Sequence, residues 1–387
     1  MIESIKVKGL LSFGWEDSEF QLKPLNVLIG PNGSGKSNLI EVIKILQSIP
    51  SGELVPFRKG GANEWIHKQG GSEKVAEIEV VVSVPKQNFP LRYKIAFRSQ
   101  DPHMVVEEEM LESTEIKPDE DGFYSFFKVR QGNGVINTKT KGERRLIREF
   151  FNPQKSVLSQ REDPDEFFEI YSTSEIFKKI HVYQDWIFGG SNPLRSSSET
   201  SSQNQYLQPD FKNFGMVLNY FRKDVPTKKR ILKYLREVYD GVQDFDISVE
   251  SDSVRVFLQE DDFIFPAVRL SDGTLRWLCL LVILLNPKPP PLICIEEPEL
   301  GLHPDMMDVL ADLLKEASKK TCLIVTTHSE VLVDALSDTP ESVVVVEKEN
   351  GATILRRQDS EYLAELLKNG NSLGDMWRGG EIGGNRR

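Results

Sequence analysis

Alternation opens the chain. In "IESIKVKGL", from Ile2, apolar and polar residues trade places with the period of a strand. A second apolar strand is predicted at Leu25–Gly30, "LNVLIG". After a glycine-rich turn, "SNLIEVIKILQSI" places Leu39, Ile40, Val42, Ile43, Ile45 and Leu46 as a helix packed on a sheet requires. From about residue 73 to 138 the pattern stays strand-like: "EKVAEIEVVVSV", "LRYKIAFRSQ", "HMVVEEEMLES" and "GFYSFFKVR", separated by Pro, Gly, Asn and Asp. These runs predict an antiparallel β-lobe inserted into an α/β domain.

Residues 143–180 read as helical, and the Ser-rich stretch 189–205 as a loop or mobile link. Helices are predicted around Phe211–Phe221 and Thr227–Val238, and short strands around Phe245–Leu258 and Phe263–Val268. "RLSDGTLRWLCLLVILLNP" (Arg269–Pro287) then begins polar and turns almost wholly apolar from Leu275 to Leu285. The last third alternates buried strands with helices: "PLICIEE", "DMMDVLADLLKEASK", "TCLIVTTHS", "EVLVDALS", "SVVVVEK". No solenoid period and no sustained heptad interrupts this order.

Composition sharpens the class. With 387 residues, 39% hydrophobic and 28% charged, the chain is long enough for a substantial core. The apolar run at Leu275 is far short of the ~20 residues a membrane span needs, and no secretory signal is visible, so a cytoplasmic protein without membrane association is expected. Cys279, Cys294 and Cys322 stand in apolar contexts without metal-ligand spacing and read as reduced core residues. The net charge of −11 argues against a wholly basic, nucleic-acid-coating surface but leaves room for a local basic groove.

The chemistry sits at the turns. "GPNGSGKS", Gly30–Ser37, fits G-x-x-x-x-G-K-[ST] between a strand and a helix. Gly30, Gly33 and Gly35 let the backbone wrap closely, so that the loop Gly30, Pro31, Asn32, Gly33, Ser34, Gly35 and the following Asn38 aim amides at phosphate oxygens at a helix N-terminus. Lys36 offers charge to the β- and γ-phosphates and Ser37 a hydroxyl to Mg²⁺. Glu296 and Glu297 emerge from a buried strand at the end where chemistry collects in parallel sheets. One carboxylate suits Mg²⁺ through its water shell, the other an attacking water. His328 ends the next strand, as a cap or as a sensor of the γ-phosphate. Ser271 and Asp272 can cap the apolar helix, and the same helix end can bind an anion.

In this order the motifs resemble the ATP-binding-cassette superfamily, in the branch of RecF, SMC-type and OLD-type ATPase heads, over residues 1–335. "GPNGSGKS" looks like Walker A, "LSDGT" the signature, "LICIEEPE" Walker B with the catalytic glutamate, "LGLHP" (Leu300–Pro304) a D-loop, and His328 the switch histidine. The resemblance implies an α/β P-loop NTPase, an ABC ATPase head with an inserted antiparallel β-lobe and a helical signature lobe. Its parts would be a Walker A part at 1–70, the β-lobe at 71–140, a helical lobe at 141–270, the signature, Walker B and switch part at 271–345, and a tail at 346–387. It implies ATP and Mg²⁺ as cofactors, with Glu296 in the magnesium role and Glu297 as general base. Ser271 and Gly273, beside Asp272, would bind ATP held by a second copy, so that two heads sandwich two nucleotides as a homodimer.

Departures are visible. The Walker B position is Glu296 rather than Asp, which favours a water-mediated metal contact. The first-strand turn, often Asn-Phe-Arg-Ser in relatives, is "GLLS" (Gly9–Ser12), without a basic phosphate contact. Gln184 is the candidate metal-side glutamine of a Q-loop, with an ordinary surface glutamine as the alternative. The resemblance extends to small predicted bacterial ATPases with a similar tail, here carrying Arg378, Arg386 and Arg387. The remaining length leaves no room for the Toprim nuclease domain of OLD-type proteins. The expected function is an ATP-hydrolysing intracellular switch that acts on DNA or controls a separately encoded effector, a nuclease or toxin-like protein, in DNA repair or anti-phage defence. A transporter ATPase subunit and a nucleotide-dependent scaffold with little turnover are the alternatives. The basic segment with Arg222, Lys223, Lys228, Lys229, Arg230, Lys233 and Arg236 is either a DNA contact or a solvated helix face.

Overall fold

The computed structural model describes residues 1–16, 18–52, 61–69, 75–100, 103–116, 122–140, 143–187, 189–250, 252–359, 362–363, 366–367 and 370–384. Arg386 and Arg387 lie outside the described residues. The chain forms two compact units, Met1–Ile180 with Val344–Gln358 and Ile382–Arg387, and His181–Val343 with Asp359–Glu381.

The first unit carries β1 (Ile2–Lys8), β2 (Ser18–Gln21), β3 (Leu25–Ile29), α1 (Lys36–Ser48), β4 (Ala76–Val82), β5 (Leu91–Gln100), β6 (His103–Ile116), β7 (Phe123–Arg130), β8 (Asn133–Thr140), β9 (Glu143–Phe150) and α2 (Phe168–Lys178). Eight strands form one sheet in the order β2-β1-β4-β5-β6-β7-β8-β9. The strands expected between 73 and 138 are present and antiparallel, and they continue the sheet begun by β1 and β2. Alternation works as expected in β4, where Ala76, Ile78, Val80 and Val82 are buried. α2 covers the sheet, with Phe177 edge-on to Tyr93 at 5.3 Å.

Residues 143–150 correct the helical reading of 143–180. "ERRLIREF" is rich in good helix formers, yet it pairs antiparallel with β8 from Asn133↔Phe150 to Thr140↔Glu143. A waiting ladder outweighs local propensity, and a sheet edge tolerates charge. Only Phe168–Lys178 of that region is α-helix.

The second unit holds the end of β10 (Ile180–Tyr183), β11 (Ser198–Glu199), α3 (Phe214–Phe221), α4 (Val225–Arg236), β12 (Val242–Glu250), β13 (Ser253–Glu260), β14 (Phe263–Pro266), α5 (Asp272–Leu284), β15 (Leu292–Glu296), α6 (Met307–Ser318), β16 (Cys322–Thr326) and α7 (Glu330–Asp334). It also holds α8 (Leu373–Gly379), while β17 (Val343–Glu349) and β18 (Ala352–Arg356) return to the first unit. β15 and β16 run parallel, from Leu292↔Cys322 to Glu296↔Thr326, so two strand ends finish level with each other. Every residue of α5 from Leu275 to Leu284 is buried, as a helix apolar all round should be. The three cysteines are buried free thiols, and burial pushes those of Cys279 and Cys294 well up. The Ser-rich stretch, read as a loop or mobile link, is partly packed. Asn192 and Ser198 are buried, and Ser198 pairs with Val254 of β13. No helix among the described residues is long and apolar enough to cross a membrane.

Candidate nucleotide site

The phosphate loop belongs to the first unit. β3 is buried throughout and lies beside β17, and α1 starts at Lys36 directly after the loop. Gly30, Gly33 and Gly35 take φ values of 146°, 79° and 116°, a conformation that disfavours side chains. A Cβ on Gly30 would sit 2.2 Å from the Val346 carbonyl oxygen, so glycine is required there by close approach as well as by φ. Lys36 is buried and its Nζ donates to the carbonyls of Gly30 at 2.7 Å and Pro31 at 3.2 Å, which folds its charge over the loop's concave side. Ser34 Oγ is buried without a hydrogen-bond partner among the described residues. Such an atom calls for an acceptor or donor from outside, and a phosphate would supply one. Ser37 is exposed at the helix start. Beside Asn38 a cavity of about 310 Å³ opens, lined by Leu11, Ser12, Glu64, Ile66 and His67 among others. These features fit a nucleotide whose phosphates meet the loop.

The acidic strand end belongs to the second unit. Glu296 closes β15, and Glu297 follows with φ 47°, left-handed for a residue with a side chain. Its amide donates to the Thr326 carbonyl at 3.0 Å. His328 Nε2 stands 3.6 Å from Glu297 Oε1, each side chain about one-third exposed at 38% and 32%. The two residues expected from sequence to act together are therefore neighbours. A third acid, Glu299, locks the pair of strand ends: its Oε1 accepts from Thr327 Oγ1 at 2.6 Å and from the His328 amide at 2.9 Å.

The segment expected from sequence to be the signature lies in the same unit. Ser271 caps α5, its Oγ accepting from the Thr274 amide at 3.1 Å. Asp272 faces the Ser-rich stretch. Its oxygens accept from the Gly189 amide at 2.8 Å, Arg195 Nη2 at 2.8 Å and Asn192 Nδ2 at 3.2 Å, and these bonds hold its carboxyl below the usual range. A Cβ on Gly273 would meet the Gly301 carbonyl oxygen at 2.6 Å, so the signature glycine lets the D-loop-like segment pack against the helix start. Gln184 follows β10, which lies beside β15, and its carbonyl accepts from the Trp186 amide at 3.1 Å.

Sequence reasoning missed Arg276 and Trp186. Arg276 is 2% exposed, its guanidinium 4.0 Å from the Trp186 ring centre, and it donates to the Glu297 carbonyl. Burial lowers its pKa to about 10, opposed by Glu299 and Glu297. Trp186 in turn donates from Nε1 to the Glu296 carbonyl at 2.9 Å. The signal was a lone charge in the Leu275–Leu285 run; what it touches was invisible. In the basic segment from Arg222 to Arg236, three of the seven cations form ion pairs, Arg222 with Asp246, Lys228 with Asp244 and Arg230 with Glu316, while Arg236 donates to two carbonyls.

The backbone matches solved SMC heads. One is the Smc head bound to the C-winged helix domain of ScpA, with a TM-score of 0.59 at 15% identity over 94% of this chain and 99% of that one. Another is the Smc head domain with an extended coiled coil bound to the C-terminal domain of ScpA, derived from Pyrococcus furiosus, at 0.59 and 13% over 95% and 98%. These matches show the fold of the heads, and with the phosphate loop they define a P-loop NTPase fold. A family model described as "AAA domain, putative AbiEii toxin, Type IV TA system" matches residues 25–334, and the chain belongs to that family of nucleotide-binding ATPases.

Proposed function

We propose that the protein is a magnesium-dependent ATPase switch whose two-headed, ATP-sandwiched state controls a separately encoded effector. The observation that carries the ATPase reading is the acidic strand end: Glu297 held in a left-handed backbone conformation with His328 3.6 Å from its carboxylate. A carboxylate so placed can take the proton of an attacking water, and the imidazole can hold the γ-phosphate or orient that carboxylate. Lys36 and the loop amides would hold the phosphates; Ser37 of the first unit and Glu296 and Gln184 of the second are the residues proposed for Mg²⁺, which would supply charge neutralisation to the phosphates. The cavity beside Asn38 receives the nucleoside. Ser271 and Gly273 face nucleotide on a second copy, while Asp272 anchors the turn to 189–195. The family's description, with its toxin–antitoxin setting, supports control of an effector.

The test is Glu297→Gln. Turnover should fall at least about a hundredfold, with ATP still bound and an ATP-dependent dimer accumulating in light scattering. Wild-type turnover in this variant would defeat the assignment.

A further inference from the structure

The turn "GLLS" lacks the basic residue of related turns, and the structure shows what its serine does instead. Thr353, on β18 and 1% exposed, places Oγ1 2.7 Å from the Ser34 carbonyl oxygen and 2.6 Å from Ser12 Oγ. A carbonyl only accepts, so the single hydroxyl proton of Thr353 goes to Ser34. Ser12 must then donate to Thr353, and its own lone pair accepts from Asn38 Nδ2 at 2.6 Å. The direction of the whole chain, Asn38 to Ser12 to Thr353 to Ser34, is thereby forced. It starts on α1 and ends on the phosphate loop, and each hydroxyl both donates and accepts. The backbone repeats the link, with the Thr353 amide donating to the Ser12 carbonyl at 2.7 Å. Contact is tight: a Cβ on Gly35 would lie 2.0 Å from Thr353 Oγ1 and 2.8 Å from Ser12 Oγ.

We infer that Thr353 and Ser12 are positioning residues of the nucleotide site, holding the phosphate loop and the first turn of α1 in their receptive shape before any ligand arrives. They act through Ser34 and Asn38. A loop already in its bound shape loses less freedom on binding and so binds more tightly. Buried hydroxyl chains of this kind are costly to interrupt, because each partner left behind is unsatisfied. The inference rests on reading the Lys36 loop as a nucleotide site.

The experiment is calorimetric titration of the full chain with magnesium–ATP and with ADP, well below the melting temperature. Thr353→Val keeps the shape and removes the hydroxyl; it should weaken both nucleotides about tenfold, raise KM in step and leave kcat near wild type. Thr353→Ser restores the hydroxyl and should bind within about threefold of wild type. Ser12→Ala should weaken binding too, and the double variant less than the product of the singles. Wild-type affinity in Thr353→Val, or Thr353→Ser as weak as Thr353→Val, overturns the inference, the latter by assigning the role to the methyl group. If Thr353→Val does not fold, Ser12→Ala carries the same test, and its wild-type affinity overturns the inference. Lys36→Ala is the control for the underlying reading. If it binds ATP like wild type, the nucleotide site itself is wrong, a result distinct from a silent Thr353.

Discussion

Glu297 carries the largest burden per residue. Its left-handed backbone costs about 1 kcal/mol or more, and its amide and carbonyl are held by Thr326, Leu300 and Arg276. The centre of the Trp186 ring lies 4.0 Å from the Arg276 guanidinium that reaches Glu297. Trp186→Phe keeps an aromatic face and should keep most activity. Trp186→Leu removes both the face and the donor to Glu296, and should lower kcat about tenfold or more with ATP affinity little changed. Steady-state kinetics beside direct ATP titration separates the two; equal losses in Phe and Leu variants would point to the lost indole donor instead.

A second residue acts on stability. Glu109 is 1% exposed on β6, and burial pushes its carboxyl up to about 7 although Ser156, Val157 and Tyr93 donate to it. The group is neutral in the folded unit and ionised in the unfolded chain over the intervening range. Its contribution is therefore full below about 4.5, falls as pH rises, and is gone above about 7. Urea midpoints of the wild type should decline across that window, and Glu109→Gln should flatten the decline.

At the scale of elements, α5 shows how one helix serves two demands. Its apolar body needs burial, and its polar start needs capping; Ser271 supplies the cap and Asp272 ties the start to 189–195. The positive end of such a helix favours an anion, and the proposed dimer would use it. Ser271→Arg should leave ATP binding by one chain within about threefold of wild type, yet abolish ATP-dependent dimers and turnover; sedimentation in the Glu297→Gln background is the direct measurement. Dimers that survive the arginine would remove the signature from the interface. β9 teaches the converse about elements. Its composition favours helix, but a strand needs only a neighbour's free edge, and β8 offers one.

At the scale of the whole molecule, the net charge is −11, and three of the seven clustered cations between Arg222 and Arg236 meet carboxylates of their own unit. Such pairs contribute little stability singly, and each offsets one of the positive charges that phosphate contacts would need. The sequence displays the cations in one run and scatters the acids that answer them, so the DNA reading and the solvated-face reading look alike before folding.

What the sequence alone determined are the features encoded by neighbours along the chain. The strand–loop–helix around Lys36, the capped apolar helix after Ser271 and the acidic end of β15 are each local patterns that stand where their residues predict, and His328 stands two residues past the end of β16. Tertiary structure alone decided which distant groups close on them. Thr353 reaches Ser12 and Ser34 across more than three hundred residues, Arg276 reaches Glu297, and Glu299 reaches His328. The physical reason is that hydrogen bonds and ring contacts depend on positions in space to within a few tenths of an ångström, and no periodicity in a chain carries that information.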